Sequence, residues 1–130
     1  MSLDMKILLV EDDPIAQMVY QHYLTQLNYL VDLVEKGKEA VMAITATHAY
    51  MGMILDLGLP DMKGEKVLCD IRQYEKENDR FSLPIIITTA HSDKRKLKDC
   101  IAKGANAALT KPVSMIDFKE ILEKWVVKQV

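Results

Sequence analysis

Apolar runs of strand length alternate five times along the chain with stretches whose apolar positions recur at helical spacing. "KILLV" (6–10), "LVDLV" (30–34), "GMILDL" (52–57), "PIIITT" (84–89) and "ANAALT" (105–110) read as strands. Runs such as ILLV and IIIT are apolar on both faces, as expected for central strands of a parallel sheet covered on both sides. Between and after them, helices are predicted over about 14–27, 37–47, 64–76, 93–103 and 114–128. Asp13 is placed to cap the first, with Pro14 at its first position. Ser92 or Asp93 can cap the fourth, Gly104 closes it, and Ser114 caps the last. A strand–helix unit repeated five times with right-handed crossovers gives an α/β doubly wound sheet with helices on both faces. Such sheets bind ligands at the carboxyl ends of their strands.

Composition adds little against this picture. A chain of 130 residues, 49% hydrophobic and 28% charged, is ordinary for one globular domain. A formal net charge of −2 gives no electrostatic reason to expect nucleic acid, and there is neither a signal peptide nor an apolar run long enough to span a bilayer. Cys69 and Cys100 both fall in helical apolar patterns and read as small buried hydrophobes of a reducing, cytoplasmic compartment. His22, His48 and His91 lack metal-ligand spacing, and the eight methionines read as core filler.

The chemistry gathers where the strands end. The first strand delivers Glu11, Asp12 and Asp13, the third Asp56, the fourth Thr88 and Thr89, and the fifth Lys111. Asp56 interrupts an apolar strand just before a Gly/Pro-rich loop, where an unpaired carboxylate costs several kcal/mol, on the order of a lost buried ion partner. Several carboxylates this close repel one another unless a cation intervenes, and oxygen-only ligands suit Mg2+. Lys111 and a threonine hydroxyl suit phosphoryl oxygens, which makes Asp56 a candidate carboxylate nucleophile toward phosphorus. Asp13 is explained by its cap and is left out of the metal shell. Asp61 reads as a turn residue in "LPDMKG", and Thr88 is expected to face away from the site because strand side chains alternate.

The acidic pair, the Asp of "DLGLPDMKG", the Thr-Ala of "TTAH" and the "KP" resemble the receiver domain of two-component response regulators, over nearly the whole chain. The resemblance implies a flavodoxin-like (βα)5 fold, strand order 2-1-3-4-5, with a receiver domain over 5–128 and a short tail at 1–4. It implies that Asp56 accepts a phosphoryl group from the phosphohistidine of a histidine kinase and passes it on or hydrolyses it. Glu11 and Asp12 match the acidic pair, Asp12 being the closer metal ligand, and the Gly58 carbonyl completes the protein's share alongside Asp56. Thr89 matches the hydroxyl and Lys111 the lysine, with a cis Lys111–Pro112 bond. Mg2+ is the implied ion, with Mn2+ able to substitute. His91 falls at a position that influences phosphoryl lifetime in the family.

The implied partners are a histidine kinase, a histidine phosphotransfer domain, or both. No nucleic acid and no membrane contact are expected for this domain, and a weak homodimer is left open. "ILLVEDD", "EKGKEAV", "IIITTAH" and "LTKPV" are most similar to receivers of hybrid histidine kinases, so the chain is expected to be a fragment of one, whose parent could be membrane-anchored, or a stand-alone relay protein. One departure stands out: the family often carries Tyr or Phe three residues before the lysine, and this chain has Ala108. Transmission to the face formed by the fourth and fifth helices is therefore expected to be modest.

Two rival functions share parts of this pattern. A flavodoxin-type FMN carrier needs a phosphate-binding loop after the first strand, and "EDDP" would repel the phosphate. A phosphatase of the haloacid-dehalogenase type also uses an Asp nucleophile, but there the nucleophile comes early and the paired acids late. No stand-alone metabolic enzyme is expected. Finally, on the first helix Ala16, Tyr20, Tyr23, Leu24 and Leu27 share the core face, while Ile15, Met18, Val19 and His22 form a neighbouring stripe. That stripe is the predicted docking patch for a helical histidine protein.

Overall fold

A computed structural model describes residues 6–47, 49–90 and 94–126. His48, His91, the Ser92/Asp93 cap and the domain limits at 5 and 128 lie outside the described residues. The chain runs β1 (Lys6–Val10), α1 (Pro14–Gln26), β2 (Leu30–Val34), α2 (Gly37–Ala46), β3 (Tyr50–Asp56), α3 (Gly64–Glu77), β4 (Ile85–Thr89), α4 (Lys94–Ala102), β5 (Ala107–Thr110) and α5 (Met115–Trp125). All strand pairs are parallel and the order is β2-β1-β3-β4-β5. This is the flavodoxin-like (βα)5 order that the resemblance implies.

Two cores flank the sheet. Leu8, Val10, Met53, Leu55, Ile85 and Ile87 face α2, α3 and α4 through Ala40, Ile44, Val67, Leu68, Ile71 and Cys100. Ile7, Leu9, Ile54 and Ile86 face α1 and α5 through Tyr20, Leu24, Phe118 and Leu122. The apolar runs within the central strands are the direct consequence of being covered on both sides, and polar residues enter those strands mainly at their ends. The predicted core face of α1 packs as expected, with Tyr20 and Leu24 buried and Ala16, Tyr23 and Leu27 partly so. Tyr20 stacks on Phe118 at 5.5 Å between ring centroids, which fixes α1 against α5.

The caps follow the sequence reading. Asp13 accepts the Ala16 N–H at 3.0 Å, and Ser114 accepts that of Asp117 at 3.1 Å. Gly104 takes φ +113°, the left-handed region that favours glycine after a helix. Three details differ. β3 starts two residues earlier, because Tyr50 still pairs with Lys6 across a register shift. β5 starts later, because the Ala105 N–H turns back to the Cys100 carbonyl. Cys69 is exposed rather than buried: on α3 it falls with Lys66 and Gln73 on the solvent side, and only Cys100 is core.

Candidate functional site

The carboxyl ends of β1 and β3 lie side by side because the two strands pair over Lys6–Val10 and Tyr50–Leu55. Each continues beyond the ladder with an acid. Glu11 and Asp56 are both buried, at 1% and 6% exposure, while Asp12 is half-buried. One carboxylate oxygen from each of Glu11, Asp12 and Asp56 lies within 4.8 Å of the others. That is the separation from which three oxygens can share one small cation.

One cation of the protein already enters this cluster. The β4–β5 pairing and the bond from the Lys111 N–H to the Thr89 carbonyl (2.7 Å) carry Lys111 to the same edge. Its Nζ lies 2.6 Å from Glu11 Oε1 and 3.3 Å from Asp56 Oδ1. Burial opposes the charge on Lys111, but the Glu11 bond and the negative charge of Asp56 prevail and raise its pKa above the ordinary lysine value. Burial also raises Glu11 above the usual carboxylate range, against the bonds from Lys111 and from the Asp13 N–H (3.1 Å). One ammonium thus serves two buried carboxylates with a third close by. The set has an excess of negative charge and offers hard oxygen donors alone, which fits Mg2+.

The other predicted residues fall around this centre. Thr89, buried to 1%, ends β4 beside the site edge, and the Lys111–Pro112 bond is cis as the resemblance implied. Asp13 is committed to its cap on Ala16, consistent with its exclusion from the metal set. The loop 58–63 is closed by a Gly58–Lys63 bridge and by the Gly64 N–H on the Leu57 carbonyl (2.9 Å). At Gly64 a Cβ would lie 2.7 Å from the Asp56 carbonyl oxygen, so a side chain there would push into the backbone that presents Asp56.

Thr88 needs a correction. It pairs in register with Asp56, so both point to the α1/α5 side of the sheet, and alternation does not separate them. Its hydroxyl is fully buried and has no hydrogen-bond partner among the described residues. Ala108 is partly buried against the core on the α2/α3/α4 side, at the position where the family often has an aromatic ring. Sequence reasoning missed two polar braces. Gln17 donates to the Glu11 carbonyl (2.8 Å) and to Glu35 (2.9 Å), tying α1 to two strand ends. Asp61 reaches α2 rather than making a purely local turn. A glutamine facing the same way as Asp13 one turn earlier was the available signal for the first.

The docking stripe is open to solvent beside this edge. Ile15 and Met18 are each 72% exposed and Val19 36%, and His22 is exposed as well. No helix among the described residues is long and apolar enough to cross a membrane.

Comparison with known proteins gives the family. The model of the response regulator receiver domain matches residues 7–123, and the chain belongs to that family. It is 34% identical over 125 residues to hybrid signal transduction histidine kinase L of Dictyostelium discoideum, covering 92% of this chain and 7% of that protein. Among solved structures, the receiver domain of a sensor histidine kinase of Pseudomonas aeruginosa, with a magnesium ion in its active-site cleft, is 33% identical at a TM-score of 0.82, covering 93% of this chain and 96% of that one. A yeast receiver domain, in a Saccharomyces cerevisiae complex with its histidine phosphotransfer protein, is 28% identical at a TM-score of 0.84, covering 93% and 88%. The chain spans between 6% and 16% of the length of curated relatives it matches. It is a receiver domain of two-component and phosphorelay signalling. The haloacid-dehalogenase alternative finds no support, since the acidic pair enters from β1 and the candidate nucleophile from β3.

Proposed function

We propose that Asp56 is the phosphoacceptor of this receiver, within one domain over residues 5–128. The observation that carries the reading is the convergence of Glu11, Asp12 and Asp56 within 4.8 Å of one another, with Lys111 bridging two of them. In the proposed reaction an Asp56 carboxylate oxygen attacks phosphorus as the bond from phosphorus to the donor's imidazole nitrogen breaks. The histidine leaves with the bonding electrons, and an acyl phosphate forms on Asp56. Lys111 would then hold one phosphoryl oxygen as a point charge, and Thr89, matched to the family's hydroxyl, would donate to another. Asp12, Asp56, Glu11 and the Gly58 carbonyl would hold Mg2+ or Mn2+, which supplies charge neutralisation at the phosphoryl oxygens.

The donor would be the phosphohistidine of a histidine kinase or a histidine phosphotransfer protein, docking over Ile15, Met18, Val19 and His22. A relay role inside a hybrid kinase, in the cytoplasm and without nucleic-acid or membrane contact by this domain, fits the relatives and the modest charge. Any homodimer would be weak. The experiment is intact mass before and after acetyl phosphate with Mg2+. One phosphoryl group is expected on the parent, and none on Asp56→Asn or in EDTA. Equal labelling of the Asn variant would sink the assignment.

A further inference from the structure

The loop that follows Asp56 carries Gly58, whose carbonyl is the one backbone ligand proposed for the metal. The loop is bridged at its root by the Gly58–Lys63 pair and the Gly64-to-Leu57 bond, and at its tip the Asp61 and Met62 N–H groups face the Asp61 carboxylate. Its tip is exposed at Pro60 and Asp61. The bridge fixes where Gly58 sits, but its carbonyl belongs to the peptide that leads into the exposed tip, so the direction of that carbonyl depends on how the tip is held. The tip is not free.

Asp61 reaches across to α2, where its Oδ1 accepts the Gly37 N–H at 2.8 Å and its Oδ2 that of Lys38 at 3.0 Å. These are the first two amides of the helix, which no intrahelical carbonyl can satisfy. Lys36, at the N-cap position, has no acceptor in its side chain to offer them. The helix therefore takes its cap from a residue 24 positions away from Gly37, and a carboxylate at a helix N-terminus also meets the positive end of the dipole. The Lys38 and Gly37 amides, with those of Asp61 and Met62 in the loop itself, hold the Asp61 carboxyl below its ordinary pKa, in keeping with a bound carboxylate.

A second observation is independent of this bond. Gly37 is buried, and a Cβ there would fall 2.5 Å from Met62 Cγ and 2.6 Å from Val67 Cγ2. The start of α2 is thus a seat into which the loop and the first turn of α3 fit, and glycine is what lets them approach. On the other flank, Glu39 Oε1 accepts the N–H groups of Lys36 (3.2 Å) and Glu35 (3.3 Å), and Glu35 is held in turn by Gln17 from α1. The seat is itself braced to the strand end that bears Glu11, since the same Gln17 amide grips the Glu11 carbonyl.

We propose that Asp61 is a positioning residue for the metal site: by clasping the Gly37 and Lys38 amides it locks the 58–63 loop onto the start of α2 and aims the Gly58 carbonyl at the cation. The proposal rests on the metal-site reading above. Its chemistry is that of an outer brace: Asp61 touches neither metal nor phosphoryl group, and acts by removing loop freedom that cation binding would otherwise have to remove.

Calorimetric Mg2+ titration of the parent, Asp61→Ala and Asp61→Asn tests it, with amide hydrogen exchange at Gly37 and Lys38 as the local readout. Asp61→Ala should bind Mg2+ roughly three- to tenfold more weakly, less than the loss typical when a partner bonded directly to a ligand is removed. Exchange at the two amides should speed up. Asp61→Asn, which keeps one acceptor oxygen, should fall between, and it carries the test if the Ala variant does not fold. Arg72→Met, at the opposite end of the sheet, should lose stability with Mg2+ affinity unchanged, which separates positioning from general destabilisation. If Asp61→Ala exposes both amides yet binds Mg2+ within about twofold of the parent, the proposal is overturned while the metal site stands. A parent chain that binds no Mg2+ overturns both.

Discussion

The two ends of the sheet each bury a glutamate, and they treat it differently. At the amino end, Glu75 of α3 is 5% exposed and has its needs met locally: Arg72 Nη1 donates to Oε1 at 2.7 Å and the Leu83 N–H to Oε2 at 2.7 Å. Arg72 spends its remaining donors on the Gly104 and Leu83 carbonyls and on Asn106, whose own oxygen also accepts the Ile85 N–H. The network is neutral and closed. At the carboxyl end, Glu11 is 1% exposed but shares one lysine with Asp56, and Asp12 adds a further negative charge. Three carboxylates against one ammonium leave that network short of two positive charges. A buried carboxylate that is fully paired holds the fold together, whereas one left in deficit gives up stability for the capacity to bind a cation.

Breaking the closed network should have the largest effect on stability. Arg72→Met leaves Glu75 buried without its cation and also abandons the carbonyls of Gly104 and Leu83. A loss of about 3–5 kcal/mol is expected by chemical denaturation, the usual range for removing one partner of a buried pair. The folded fraction should still take up acetyl phosphate normally. A loss below about 1 kcal/mol would mean that the network is ornamental, its worth no more than a surface pair.

The contrast also explains what could be read in the sequence. The open network is legible, because its members sit where four of the five predicted strands end and most of them are carboxylates. Glu11, Asp12, Asp56, Thr89 and Lys111 all follow from that rule and the resemblance. The closed network was not legible. Arg72, Glu75 and Asn106 lie on a helix and a loop, their partners are mostly backbone groups, and the Arg72–Asn106 contact spans 34 positions without any periodic signal. At Asp61 the turn reading holds, but the reach to α2 is not legible for the same reason: a carboxylate that caps a distant helix has the local appearance of a turn residue. Thr88 was misplaced because alternation gives relative directions along one strand, while the register with β3 gives the absolute one. Cys69 shows the limit of apolar periodicity at the border between the core and solvent faces of α3.

A smaller effect is expected at the rim of the open site, where the apolar stripe on α1 lies. Ile15→Asp or Met18→Asp should slow phosphoryl exchange with a cognate histidine protein about tenfold, the cost of one anchor residue in an interface. Labelling by acetyl phosphate should stay near the parent rate, since no group of the site is changed. If both donors slow equally, or neither does, the stripe belongs to packing and not to docking.

The central claim is that the carboxyl end of the sheet is short of positive charge and that the amino end is not. Thermal unfolding with and without saturating Mg2+, for the parent and for Asp56→Asn, tests it most directly. The parent should gain stability from the ion, by about 2.7 kcal/mol at a hundredfold excess over Kd. Asp56→Asn should be the more stable of the two in EDTA, because it relieves the repulsion with Glu11 and Asp12, and it should gain markedly less from Mg2+. A parent whose Tm does not respond to Mg2+, or an Asn variant that is less stable in EDTA and responds as fully as the parent, would contradict the account.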